Sequence, residues 1–143
     1  MNVPFAIGGA LALAGAAVHG AIGERLVVTK LRTEVLSPTP FGGPRMTKLM
    51  IRATWHITTL AFVVIGSAMA ACTTADSSQA CRGIGRVAAI SYTSFAGLTI
   101  GLGVATRQGL GVATRQGPRA LLRHPAPLLF ALVAGLAWWG GAS

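Results

Sequence analysis

The chain has 143 residues, of which 52% are hydrophobic and only 10% are charged, and its mean hydropathy is +0.63. Soluble domains carry about 25% charged residues, so this composition leaves too little polar surface to cover a globule in water. The formal net charge of +9 raises the question of nucleic-acid binding. No nucleic-acid motif is present and no aromatic residues interleave with the basic ones, so we expect a membrane protein without nucleic-acid partners.

Four apolar segments follow one another along the chain, at about residues 3–23, 49–71, 84–106 and 126–142. A spanning helix needs about 20 mostly apolar residues, and none of the segments shows the alternation of a transmembrane β-strand. We therefore predict a single all-α domain, an integral membrane four-helix bundle. The first segment is expected to be a retained span, because no Lys or Arg precedes it as in a signal peptide.

Small residues four positions apart occur in three of the predicted spans and favour close helix packing. They are Gly8, Ala12, Ala16 and Gly20 in the first span, Gly97 and Gly101 in the third, and Ala131 and Gly135 in the fourth. After the first span, residues 24–36 are expected to continue as an amphipathic helix along the headgroups. The prolines of SPTPFGGP then break it, and Pro44 suits the first position of the next helix.

The basic residues set the predicted orientation. Ten of the 12 Lys and Arg residues lie in or beside the connections 24–48 and 107–125, whereas Arg82 and Arg86 flank the connection 72–83. Connections rich in Lys and Arg stay on the cytoplasmic side. The pattern predicts an N-out/C-out protein of the bacterial cytoplasmic (inner) membrane, with residues 72–83 as its outer loop.

Two cysteines, Cys72 and Cys81, bracket this outer loop. Disulfides persist in oxidising compartments such as the periplasm, so we predict that the two residues form a structural disulfide. A thiol redox pair or a metal clip is the alternative. Neither a CxxC spacing nor a neighbouring histidine supports it.

The three histidines, His19, His56 and His124, all fall at the predicted cytoplasmic end of the spans. Ionisable residues inside a membrane are costly and usually face the protein interior. Each imidazole is therefore an interhelical hydrogen-bonding group, a ligand of haem, another tetrapyrrole or a metal ion, or part of a proton or substrate path. Directly packed helices lie about 8–10 Å apart, too close for two facing histidines to sandwich a macrocycle.

Glu24 and Arg52 stand near the same end of the first two spans and are predicted to pair between these helices. The remaining carboxylates are Glu34 and Asp76, and Asp76 is predicted on the opposite side of the membrane. No carboxylate pair, HExxH sequence, phosphate-binding loop or nucleophile elbow is present. The sequence thus offers no catalytic residues that we can name.

Three stretches, HGAIGERLV at 19–27, FGGPRMTKLMIRATWHITTLAF at 41–62 and HPAPLLFALVAGLAWWG at 124–140, resemble a family of small four-span bacterial membrane proteins. The resemblance departs at GLGVATRQ, which occurs in tandem at 101–108 and 109–116 and is interpreted as an insertion tolerated in a surface loop. The family has no established activity to carry over. The resemblance implies the motif positions His19, Gly23, Glu24, Arg52, Trp55, His56 and His124.

The function expected from these features is that of a non-enzymatic structural or accessory subunit, in a larger membrane complex or a homo-oligomer. The alternative is a haem-, pigment- or metal-binding redox subunit that uses His19 and His56. Small-molecule or proton transport is less favoured, because the inverted repeats and broken helices typical of transporters are missing.

Overall fold

Four helices account for most of the chain in the computed structural model, which describes residues 1–40, 42–74, 79–105 and 126–143. They are α1, which runs as an α-helix over Val3–Ala17 and continues as a π-helix over Val18–Val28, α2 (Pro44–Ala71), α3 (Gln79–Ala105) and α4 (Ala126–Ala142). The described residues form no β-strand, only an isolated bridge between Thr39 and Gly42. The predicted all-α class is therefore confirmed.

Local sequence explains where the first two helices begin and end. The side chain of Asn2 caps α1 by accepting the backbone N–H of Phe5 at 3.1 Å, and Pro44 begins α2 as predicted. The predicted amphipathic extension over 24–36 is wrong beyond Val28, since the next helical residues are a single 3-10 turn over Thr33–Val35. Beyond Val28 the backbone N–H groups of Lys30 and Leu31 donate only three residues back, to Val27 and Val28 at 3.1 and 3.3 Å, so the chain leaves the helix in a tight turn.

The helices pack as two close pairs, α1 with α2 and α3 with α4, and α4 also packs on α1. The small-residue ridge of α1 takes part as predicted, because Gly8, Ala12 and Ala16 are buried. The backbones of α1 and α2 come close together at Gly9, where an added Cβ would lie 3.0 Å from the carbonyl oxygen of Gly66. Glycine at that position lets the two backbones meet.

The other predicted packing motifs do not make contacts within the described residues. A Cβ added at Gly97, Gly101 or Gly135 would meet nothing within 4 Å. The α3–α4 pair instead meets at Gly85 and Gly141, where a Cβ on Gly85 would lie 2.8 Å from the Cα of Gly141. Spacing alone identified small residues but not the helix face that contacts the neighbour.

An aromatic cluster and a disulfide connect the two pairs. Phe62 of α2 lies 5.8 Å, 5.3 Å and 5.4 Å, between ring centroids, from three rings of α3 and α4, namely Tyr92, Phe95 and Phe130. The predicted disulfide between Cys72 and Cys81 is present, with a Cα–Cα distance of 5.7 Å. It joins the end of α2 to the start of α3, and these two helices otherwise touch little.

Within the part of the chain that the structure describes, two helices are long and apolar enough to cross a membrane: Val3–Val28, with a mean hydropathy of 1.7 in its most apolar window, and Pro44–Ala71, with 1.5. Helix α4 is apolar but shorter. His124, the predicted connection 107–125 and the second GLGVATRQ copy lie outside the described residues.

Replacement of Gly85 by leucine is expected to destabilise the α3–α4 pair, because the new side chain would strike the backbone of α4. Overpacking of this kind costs about 1–3 kcal/mol, measurable as a lower free energy of unfolding in detergent. Gly97→Leu on the same helix is the matched control and should be neutral or slightly stabilising, since leucine favours helix by about 0.8 kcal/mol over glycine. Equal effects of both changes would contradict the assigned packing face.

Candidate functional site

The polar side chains of α1 and α2 meet where α1 is a π-helix. In this segment the backbone N–H of Thr29 donates to the carbonyl oxygen of Glu24, five residues earlier, at 2.9 Å. Residues five apart share a face in a π-helix, whereas residues three or four apart do so in an α-helix. The π-helix therefore turns both His19 and Glu24 toward α2. Such segments are rare and often occur at functional sites.

Glu24 lies between two side chains of α2. Its Oε1 is 2.8 Å from Nε of Arg52, and its Oε2 is 3.5 Å from Nε2 of His56. Both oxygens are shielded from solvent, and neither accepts a hydrogen bond of regular geometry. The 2.8 Å distance suits a hydrogen bond but the N–H direction does not, so the contact with Arg52 is mainly electrostatic. Arg52 itself is about half exposed, with 55% of its side-chain surface accessible.

His19 is held on three sides. Its Nδ1 is 2.9 Å from Oγ1 of Thr59, and its ring stacks on Trp55 at a centroid distance of 4.2 Å. Phe62 approaches edge-on at 5.5 Å. Oγ1 of Thr59 also lies 3.1 Å from the carbonyl oxygen of Trp55, so its hydroxyl can donate there while it accepts from Nδ1 of His19. Nε2 of His19 has no hydrogen-bond partner among the described residues.

Glycines of α1 make this close contact with α2 geometrically feasible. A Cβ at Gly20 would lie 2.8 Å from the methyl group of Thr59, and a Cβ at Gly23 would collide with the ring of Trp55. From this position, Nε1 of Trp55 donates a hydrogen bond to the carbonyl oxygen of His19 at 3.0 Å. The indole thus reaches into the space that Gly23 leaves and binds the backbone of α1.

The structure brings together four of the predicted site residues and adds one that sequence reasoning missed. Glu24 and Arg52 lie at the distance of an ion pair, His56 contacts the same carboxylate, and His19 packs against Trp55 and Thr59 on the same helix α2. Thr59 was missed, although it follows Trp55 by four residues and so shares its helix face. A threonine in an apolar helix gives no sequence signal that separates a buried partner from a surface residue.

Among the described residues, no three His, Cys, Asp or Glu side chains converge closely enough to hold a metal ion. A tetrapyrrole would have to bind through Nε2 of His19, because Nδ1 is hydrogen-bonded to Thr59. The ring of His19 is also covered by Trp55 on one face. The haem and metal alternatives stay predictions.

Two cavities lie at opposite ends of the bundle. One, of about 470 Å³, lies at the disulfide end beside Asn2, Cys72, Cys81 and Trp139. The other is an open cleft of about 440 Å³ that runs beside α2 and includes His19 and Trp55 in its lining. The cleft is of ligand-binding size and shares His19 and Trp55 with the α1–α2 contact, whereas Glu24, Arg52 and His56 are not part of its lining.

No protein-family model, curated protein or solved structure matches this sequence significantly.

The contact between Glu24 and Arg52 can be measured with a double-mutant cycle of Glu24→Gln and Arg52→Gln. Because the carboxylate is shielded while the guanidinium is half exposed, we expect a coupling of about 1–2 kcal/mol in the free energy of unfolding. Arg52→Gln alone should be the more damaging change, since it leaves the shielded carboxylate without its nearest cation.

The pair of Arg32 and Glu34 is the matched control for this cycle. Its atoms lie 3.4 Å apart, and its side chains are 78% and 67% exposed. We expect little coupling there, as for most surface ion pairs. A Glu24–Arg52 coupling no larger than that of the control would show that the two residues do not interact as placed.

Proposed function

We propose that the chain is a four-span integral membrane protein that serves as a non-enzymatic structural or accessory subunit, in a larger membrane complex or with copies of itself. The observation that carries this proposal is that the polar side chains of α1 and α2 contact each other between the helices. Arg52 and His56 both contact Glu24, and Thr59 and Trp55 both contact His19. The described polar groups thus join α1 to α2 and do not surround a reacting centre.

The distribution of apolar surface supports placement in lipid. Only 28% and 11% of the most apolar windows of α1 and α2 are buried inside the protein, whereas the core helix of a soluble protein is mostly buried. Large apolar side chains are exposed on all four helices, with Val64, Ile90 and Leu132 among them. Such surface is costly in water and favourable against hydrocarbon.

The basic connections at one end of the helices, and the disulfide and exposed tryptophans at the other end, support the proposed orientation. The basic connections at 24–48 and 107–125 favour the cytoplasmic side, and the Cys72–Cys81 disulfide favours an oxidising compartment at the other end. Trp138 and Trp139 are each 64% exposed near the end of α4 on the disulfide side. Exposed tryptophans are typical of the membrane–water interface.

A second candidate is a redox subunit that binds a tetrapyrrole or a metal ion through His19. One observation favours it, namely that Nε2 of His19 has no partner among the described residues. A neutral imidazole nitrogen with its opposite nitrogen held by a hydrogen bond is the usual form of a histidine ligand. A Soret band in the absorption spectrum of the purified protein would favour haem, and its absence would remove the haem version.

Cysteine labelling tests the membrane topology. Both native cysteines are in the disulfide, so one added cysteine is the only thiol open to a membrane-impermeant maleimide. In intact inner-membrane spheroplasts we expect Ser143→Cys to react and Glu34→Cys to react only after the membrane is opened. Labelling of Glu34→Cys in closed spheroplasts would contradict the four-span orientation.

The subunit role is tested by the mass of the protein after extraction from its native membrane in mild detergent. We expect a stoichiometric membrane partner or a homo-oligomer, detected by size-exclusion chromatography with light scattering and by mass spectrometry of the peak. A homogeneous monomer at every extraction condition would contradict the proposal, and extraction into water without detergent would contradict the membrane placement as well.

A further inference from the structure

The open cleft beside α2 is lined mainly by one face of that helix. Six of its eight described lining residues lie on α2 between Thr47 and Thr58, and His19 of α1 and Thr39 of the connection between α1 and α2 complete the lining. Spacings of three and four residues keep the α2 positions on one face, which is about 16 Å long at 1.5 Å per residue. The cleft volume of about 440 Å³ lies within the range of about 300–1,000 Å³ found for small-ligand pockets.

The four threonine hydroxyls of this lining donate to the backbone of the protein itself. Thr54 and Thr58 donate to the carbonyl oxygens four residues earlier, at 2.9 Å and 3.1 Å. Thr47 and Thr39 donate to carbonyl oxygens of the connection between α1 and α2, at 2.8 Å and 3.5 Å. Because a hydroxyl has only one hydrogen, each of these side chains offers a ligand its methyl group and an acceptor oxygen, but no donor.

The ring nitrogens of the lining follow the same pattern. Nε1 of Trp55 already donates to the carbonyl oxygen of His19. With Nδ1 of His19 donating to Thr59, which is not a lining residue, Nε2 of the same ring is an acceptor. This Nε2 has no described partner and, unlike the Glu24 oxygens, is not shielded from solvent. The described lining therefore presents acceptors to a ligand and no unused side-chain donor.

The chemistry of the lining limits which ligands fit the cleft. The described lining contains no Lys, Arg, Asp or Glu, so a charged ligand would find no counter-ion there. An ether, ester or ketone would find no donor for its oxygen. The threonine methyl groups, Met50 and Ile51 offer apolar contact along the length of the cleft. The surface is complementary to an uncharged apolar molecule that donates a hydrogen bond.

We propose that the cleft binds an uncharged, lipid-soluble hydroxyl compound. Its hydroxyl donates to Nε2 of His19, and its apolar body lies along the methyl groups of Thr54 and Thr58. Complementarity of donors and acceptors selects this class of ligand, because His19 supplies an open acceptor beside an apolar surface. This binding function goes beyond the proposed subunit role and does not depend on it.

Native mass spectrometry of the purified full-length protein tests the donor requirement, with 4-nonylphenol and 4-nonylanisole titrated in turn. The two probes share the ring and the alkyl chain, and they differ only in an O–H group against an O–CH3 group. We expect one molecule of the phenol to bind about fivefold more tightly than the anisole, which corresponds to one neutral hydrogen bond. Equal affinities would overturn the inference.

Two charged probes of similar shape test the assignment to an uncharged ligand. They are 4-nonylbenzylamine, which is an ammonium ion at neutral pH, and 4-nonylbenzoate. Both should bind more weakly than the phenol, because each would lie in the cleft without a counter-ion. Binding of either ion as tight as that of the phenol would contradict an uncharged ligand.

His19→Phe tests the acceptor, since it retains a ring beside Trp55 and removes Nε2. We expect this variant to bind the phenol and the anisole equally, so that the preference is lost even if the affinity for both probes changes. A preference that persists in a folded His19→Phe protein would show that another group accepts the hydrogen bond.

The ¹⁵N NMR spectrum of histidine-labelled native protein provides a readout that needs no variant. Because a hydrogen bond to an imidazole acceptor changes the shielding of that nitrogen, the phenol should shift one histidine Nε2 resonance, and the anisole should shift none. Unchanged histidine resonances in protein with bound phenol would contradict the contact with His19.

Neighbouring tryptophan substitutions on α2 locate the bound probe. Thr58→Trp places a large ring in the cleft and should prevent binding of the phenol. Ile57→Trp is the matched control, because Ile57 is 65% exposed and is not a lining residue, and it should retain binding. Binding to a correctly folded Thr58→Trp protein, or equal loss in both variants, would overturn the assignment to this cleft.

Discussion

The Glu24 carboxylate, with both oxygens shielded from solvent, is the constraint on which the α1–α2 arrangement depends. An unpaired buried carboxylate would cost several kcal/mol, so α2 must bring polar partners to this place. Arg52 and His56 lie four residues apart and approach the two oxygens separately. Their spacing fixes both the rotation of α2 and its position along α1. A shift of α2 by one residue would move both partners away from the carboxylate together.

The π-helix is the local adjustment that this arrangement requires. If α1 continued as a regular α-helix through Val18–Val28, His19 and Glu24 would point to different sides. With bonds to the fifth residue, both face α2, and Gly23 admits the ring of Trp55. The segment thus combines a rare backbone geometry with side chains that a uniform helix could not present together.

Much of the fold could be predicted from the sequence because the signals are local. The apolar segments coincide broadly with the four helices, Pro44 begins α2, and Cys72 and Cys81 are close enough in the chain for a disulfide. The helix faces that pack together could not be predicted from the sequence, as Gly97 and Gly85 show. Both are small residues on α3, but only Gly85 meets α4. The pairing of Glu24 with Arg52 was predicted from charge and position, whereas the role of Thr59 depends on an approach of α1 that no local pattern encodes.

The sequence by itself determined the helices and their apolar character, because both depend on runs of residues within one segment. It also carried the charge bias from which the orientation is proposed. The tertiary structure alone decided that Phe62 of α2 packs on Tyr92 and Phe95 of α3, that His19 hydrogen-bonds Thr59, and that a cleft opens beside α2. These features depend on distances between residues roughly 30 to 40 positions apart in the chain, which are set only when the helices pack.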